Sequence, residues 1–176
     1  MSMPANATTP VFFVVAVPKL ILMTLLTGGL YGLFWYQRNW DCYGRAVGGV
    51  VVPYMLWPEL FLYSLLSRVD QRIRASGRGH DWSPWWLTCG LLLTSMLVIT
   101  ATVMSLPVPA WSSALLLLIP LFSLALGKIQ RAINFCEGDP EGEGNARLSP
   151  VNGMWILVVT LGWLVLEGSA FSTFPP

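Results

Sequence analysis

Residues 82–127 form 46 consecutive positions without one charged side chain, framed by Asp81 and Lys128. Leu, Val, Ile, Met and Trp dominate the stretch, and Pro107 and Pro109 divide it into 85–106 and 110–127. At about 1.5 Å per helical residue the two pieces reach roughly 33 and 27 Å, against a hydrocarbon core of about 30 Å. The pattern predicts two membrane-spanning helices joined by a Pro-Val-Pro turn.

Elsewhere the apolar runs are shorter. Residues 11–17 are too short to span and are expected at the membrane interface. A helix is expected from Leu20 to Tyr36, between Lys19 and Arg38. Its exit, Trp35-Tyr36-Gln37-Arg38-Asn39-Trp40, sets aromatic residues beside a cation, as at a membrane–water boundary. Residues 46–66 form a second segment, broken by Pro53 and Pro58 and carrying Glu59. It reads either as a kinked span or as a hairpin that enters and returns. Ser83-Pro84 and Ser149-Pro150 are good helix starts, because serine caps the first turn and proline lacks the N–H that would be orphaned there. The last helix is expected over 151–166, ending at Glu167. Gln71-Arg72-Ile73 before Ser83-Pro84 is echoed by Gln130-Arg131-Ala132-Ile133 before Ser149-Pro150, a faint internal repeat across unequal loops.

Composition agrees. Of 176 residues, 55% are hydrophobic and 11% charged, with mean hydropathy +0.61. A soluble domain carries about 25% charged residues, so this chain lacks the polar surface for water. A net charge of +1 gives no argument for nucleic acid. Three cysteines, Cys42, Cys89 and Cys136, speak against a disulfide framework. The first 18 residues lack a basic n-region, so no cleavable signal peptide is expected. Asn6-Ala7-Thr8 matches a glycosylation acceptor, a pattern frequent by chance. Counting Lys and Arg by side gives eight against two if all five segments span, and nine against one if the second is re-entrant, leaving Lys19 alone opposite. Both schemes put the large loops in the cytoplasm and the C-terminus in the periplasm. They disagree on the side of the N-terminus.

Glu59 is the first candidate for chemistry. A carboxylate among apolar residues at membrane depth costs at least ~2.5–3.5 kcal/mol, and points to a protonatable transport site or an ion ligand. The bland alternative is an acid in a water-accessible kink between Pro53 and Pro58. Glu137-Gly138-Asp139-Pro140-Glu141-Gly142-Glu143 resembles the opening of a calcium loop, but the twelfth position is Leu148 where a bidentate glutamate is required. A solvated acidic turn is expected, and no metal site. His80, Asp81 and Ser83 are of triad types but adjacent in sequence, whereas catalytic partners converge from separate elements. No catalytic constellation and no cofactor motif is present. Gly28 and Gly32, and Gly44 and Gly48, have the spacing that lets membrane helices approach closely, against a null of ordinary glycine content. Arg68, Arg72, Arg74 and Arg78 would bind anionic headgroups or, as the favoured role, fix the topology.

The run Thr27-Gly28-Gly29-Leu30-Tyr31-Gly32-Leu33-Phe34-Trp35-Tyr36-Gln37-Arg38-Asn39-Trp40 resembles the first helix of a family of small bacterial inner-membrane proteins, a domain of unknown function. Arg68-Val69-Asp70, Trp82-Ser83-Pro84, Gln130-Arg131-Ala132-Ile133-Asn134, Asp139-Pro140 and Asn152 extend the likeness over most of the chain. It implies a bacterial inner-membrane location and lends no activity. The expected fold is therefore all-α, a polytopic helical membrane protein with four to five membrane helices. Residues 1–18 are read as a polar, interfacial lead and 19–176 as one transmembrane domain. Expected partners are the lipid bilayer, a second copy or another membrane protein. The first functional reading is a non-catalytic module that binds or regulates a partner. The alternative is a small oligomeric transporter or channel using Glu59, and a weaker third is an enzyme acting on lipid.

Overall fold

A computed structural model describes residues 10–49, 58–103 and 108–172. Within these, the side chains of 98–99, 101–117, 163 and 166–172 lie outside the description. The Asn6 acceptor, Pro53 and Pro107 fall on residues not described.

Every regular element among the described residues is helical: α1 Val17–Leu26, α2 Leu30–Val47, α3 Pro58–Ala75, α4 Pro84–Val103, α5 Val108–Glu137 and α6 Pro150–Ser172. The all-α expectation holds. Among the described residues no helix is long and apolar enough to cross a membrane.

Two expected boundaries are corrected. The single helix over 20–36 is instead a helical hairpin. Thr27, Gly28 and Gly29 form a turn, with φ of +57° and +91° at the two glycines. Left-handed backbone interrupts a right-handed helix, and glycine adopts it without a Cβ clash. The chain then doubles back, so Phe12 before α1 stacks on Tyr43 late in α2 at 5.8 Å, and the Phe13 N–H donates to Asn39 Oδ1 at 3.1 Å. Of the segment over 46–66, read as a kinked span or a hairpin, residues 50–57 lie outside the described residues. α2 ends at Val47 with Gly48 left-handed after it, and α3 begins at Pro58. The last helix runs past Glu167 to Ser172.

The serine–proline starts stand as expected. α4 opens at Pro84 and α6 at Pro150, and at the latter Ser149 and Asn152 cap each other, with Ser149 N–H donating to Asn152 Oδ1 at 2.9 Å.

α5 is the central post. α1 lies along it antiparallel, with Val17 and Ile21 against Gly127, and α2 returns along it parallel, with Gly32 against Phe122 and Leu126. α3 runs antiparallel to α4. Trp82 Nε1–H donates to Asp70 Oδ1 at 3.1 Å, the Tyr63 and Trp85 rings meet at 5.8 Å, and Glu59 shares a cleft with Ser95. Trp35, Leu65, Leu66, Val69, Ile129 and Ile133 lie in the fully buried core.

Residues 10–16 are irregular, with bends at Val11 and Phe12, and Phe12, Val15 and Ala16 are buried, the first two to 1% and 0% exposure. They belong to the same packed body as the helices. Apolar side chains of 11–16 are covered by α2, α5 and the loop after α5.

Candidate functional site

Glu59 sits in the first turn of α3, where acidic side chains suit the positive end of the helix dipole. It is half-buried and lies where two clefts meet. One, of about 90 Å³, is lined by Trp35, Tyr36, Leu62, Leu91 and Phe122 among others. The other, of about 270 Å³, is lined by the hairpin tip (Gly28, Gly29, Leu30) together with Thr94 and Ser95, halfway along α4, and Ile119 of α5. Glu59 is the one carboxylate in either lining, neither lining holds a Lys, Arg or His, and Glu59 makes no hydrogen bond or ion pair among the described residues. Three helix ends converge on it: the C-terminus of α1, the N-terminus of α2 and the N-terminus of α3.

The glycine spacings serve other purposes than a packing stripe. Gly28 is in the tip and Gly32 in α2, so they do not share a helix face. Gly32 does permit close approach, since an added Cβ would stand 2.7 Å from the Phe122 ring. Gly44 and Gly48 form the end of α2, with Gly48 N–H donating to Gly44 O.

The four arginines divide. The Arg68 guanidinium lies over the Tyr43 ring at 4.7 Å and the Trp40 ring at 5.6 Å, and donates to Tyr43 OH. Arg78 lies over Phe135 at 4.8 Å and donates to the Cys136 carbonyl at 3.1 Å. Arg72 Nε is 4.0 Å from Glu137 Oε1, and Arg74 pairs with Asp70 at 2.7 Å in the open. Arg68 and Arg78 are therefore held by rings and a carbonyl of the protein itself, and Arg74 by Asp70.

A second constellation carries no motif. The segment 10–16 is bound almost as a peptide ligand would be, by side-chain amides. Gln130 Nε2–H donates to Phe13 O at 3.0 Å, Asn134 Nδ2–H to Val15 O at 3.0 Å and Asn145 Nδ2–H to Val14 O at 3.2 Å. Glu137 Oε2 accepts from Val11 N–H at 3.0 Å. Gln130 and Asn134 also bond each other, and Trp35 Nε1–H donates to Gln130. An irregular segment has no partner of its own for its amides, and burying them unpaired would cost about 1–3 kcal/mol each. The signal was present: two amides four apart on an otherwise apolar face of α5, beside Ile129 and Ile133.

Against protein-family models, curated proteins and solved structures, the chain matches none. The site must speak through its own chemistry.

Among the described residues no group of three His, Cys, Asp or Glu could hold a metal ion. The acidic loop closes on itself instead: Asp139 accepts from Glu143 N–H and Gly144 N–H, both at 3.1 Å, and these bonds hold its carboxyl below the usual range. Cys136 is buried, and desolvation with the adjacent Glu137 pushes its thiol up to about 11. His80 stacks on Phe135 at 4.9 Å, with Trp82 on its other side at 6.3 Å.

Proposed function

We propose that the chain is a multi-pass inner-membrane protein that binds a proton or a small cation at Glu59, as a compact transporter or channel. The observation that carries this reading is the position of Glu59: a carboxylate without a partner among the described residues, in an apolar cleft where three helix ends meet. Discontinuous helices meeting at mid-depth are how membrane transporters expose polar groups to a solute.

Two further lines support a membrane setting. Leu93, Met96 and Leu97 on α4, and Met154, Leu157, Val158, Leu161, Leu164 and Val165 on α6, are 50–72% exposed. Contiguous apolar surface on this scale is costly in water and costless in lipid. The resemblance of the first segment to small inner-membrane proteins points the same way.

The cations suggest the orientation. All ten Lys and Arg belong to the end of the bundle where α2 and α3 finish and α4 starts. Lys19 donates to Asn145 and the Arg147 carbonyl, Arg38 lies over Phe13, and Arg68, Arg72 and Arg78 reach Tyr43, Glu137 and Cys136. In this reading α1 and α2 form a re-entrant hairpin whose tip stops level with the middle of α4. α3 climbs back from Glu59, and the crossings are assigned to the charge-free run 82–127 and to the segment after Ser149. Every cation then faces the cytoplasm, a stronger bias than either sequence count. Glu59 lies about 14 Å below Arg68 along α3, near mid-bilayer.

The test is flux in proteoliposomes. Glu59→Gln should reduce proton- or cation-coupled flux at least about tenfold without lowering thermal stability, because an unpaired charge at that depth is costly. Equal flux by the variant would remove Glu59 from the function. The second reading, a non-catalytic module binding a membrane partner, is favoured by the bare apolar surface of α6; it predicts unchanged assembly in Glu59→Gln.

A further inference from the structure

Another concavity, about 420 Å³, lies between the start of α4 and the C-terminal half of α5. Its polar wall holds Lys128 and Arg131 from α5, with His80, Asp81 and Ser83 from the loop entering α4, and Trp86 beside them. Lys128 and Arg131 are exposed and make no hydrogen bond or ion pair among the described residues. They contrast with Arg68 and Arg78, which rings and carbonyls already occupy. The N-terminus of α4 adds the positive end of its dipole. Asp81 is the one acid present, so the lining is net cationic.

What lies along the helices from this pocket gives it meaning. On α5, Leu121, Leu124, Lys128 and Arg131 recur at spacings of three and four and so form one stripe, exposed and apolar at one end and cationic at the other. On α4, Trp86, Gly90, Leu93 and Leu97 form a matching stripe. Trp86 is 73% exposed, and nothing stands within 4 Å of where a Gly90 Cβ would be. Two antiparallel helices thus present a cationic pocket, an aromatic rim and an open apolar trench below it, in that order.

We propose that this surface binds one anionic glycerophospholipid. Its phosphate would sit between Lys128, Arg131 and the start of α4. A headgroup hydroxyl would face Asp81, and an acyl chain would lie over Gly90 between the leucines of α4 and α5. Charge complementarity selects the phosphate, and the adjoining apolar trench selects a lipid over a free anion. The proposal shares with the Glu59 reading only the placement of the chain in a membrane, and does not depend on transport.

Native mass spectrometry of the full delipidated chain in detergent tests it, with phosphatidylglycerol, phosphatidylcholine and inorganic phosphate as probes. The expected result is one retained phosphatidylglycerol, bound more tightly than phosphatidylcholine. The double variant Lys128→Gln/Arg131→Gln should lose that preference by about tenfold or more, since each surface cation contributes on the scale of a few-fold. Arg74→Gln, equally cationic but paired with Asp70 outside the pocket, should leave it unchanged. Gly90→Phe should weaken retention of both lipids by filling the trench. Equal loss in Arg74→Gln would overturn the site in favour of general surface charge. Displacement of the lipid by millimolar inorganic phosphate would overturn the lipid in favour of a free anion. Failure of the chain to float with vesicles would instead defeat the membrane reading itself, and Glu59→Gln flux is read separately.

Discussion

At Gly142 the loop after α5 presses its backbone onto the buried segment 10–16. An added Cβ would stand 2.5 Å from the Val15 carbonyl carbon and 2.6 Å from the Ala16 nitrogen, and φ is +69°. Neither neighbour is a side chain that can swing away. Gly142→Ala is therefore expected to destabilise the protein by about 2 kcal/mol or more. Gly144→Ala, whose nearest neighbour would be Asp139 Oδ2 at 3.6 Å, serves as the near-neutral control. Thermal melts of the two purified variants decide it, and equal midpoints would refute the clash. Asp139 makes the same loop pH-sensitive. Its carboxyl is held below the ordinary 3.8 by bonds from Gly144 and Glu143. Its contribution is complete above that ordinary value and is lost as pH falls through the depressed folded one. Exchange of the amide protons at 143 and 144 should accelerate, relative to neighbouring loop amides, as pH drops through that window. In Asp139→Ala it should be fast throughout.

The element that distinguishes this protein is the segment 10–16 held by amide side chains. Asn134→Leu leaves the Val15 carbonyl buried without its donor, and Gln130→Leu does the same for Phe13 while also orphaning the Trp35 indole. Each substitution is expected to cost about 1–3 kcal/mol. Because the two share one network, the double variant should cost less than the sum. Limited proteolysis reports the release directly. Cleavage within residues 10–16 should be slow in the parent chain and fast in both variants, and unchanged rates would show that packing of Phe12 and Val15 alone retains the segment. The hairpin tip is an element-scale device of a different kind. It trades a continuous helix for two helix ends beside Glu59.

At the scale of the whole molecule, the arrangement of charge makes a topological prediction. If α1 and α2 form a re-entrant hairpin, single cysteines at Ala46, Gly77 and Gly144, in a background lacking the three native cysteines, should all react with an impermeant maleimide from the cytoplasmic face. One at Ser172 should react from the other. Labelling of Ala46 and Gly77 from opposite faces would mean that the chain crosses between them, and the re-entrant arrangement would fall. The result also bears on Glu59. Only the re-entrant arrangement keeps both flanking termini of α2 and α3 on one side while the carboxylate stays at depth.

Much of this was legible in the chain itself. The charge-free run to Lys128, the serine–proline starts at Ser83 and Ser149, and the singular position of Glu59 are local facts. Periodicity, capping chemistry and the cost of burying a charge act through nearest neighbours along the sequence, so sequence alone fixes them. Three things required tertiary structure. Thr27-Gly28-Gly29 reads equally as ordinary glycine within an apolar helix or as a turn, and only packing of both arms against α5 selects the turn. Nothing nearby in sequence covers residues 11–16. Their cover, Gln130, Asn134 and Asn145, lies more than a hundred residues away. Arg68 and Arg78 look like free surface charge until Tyr43 and Phe135 are brought beneath them. In each case the deciding partner is distant along the chain, and pairwise contact at long sequence separation is what no local pattern encodes.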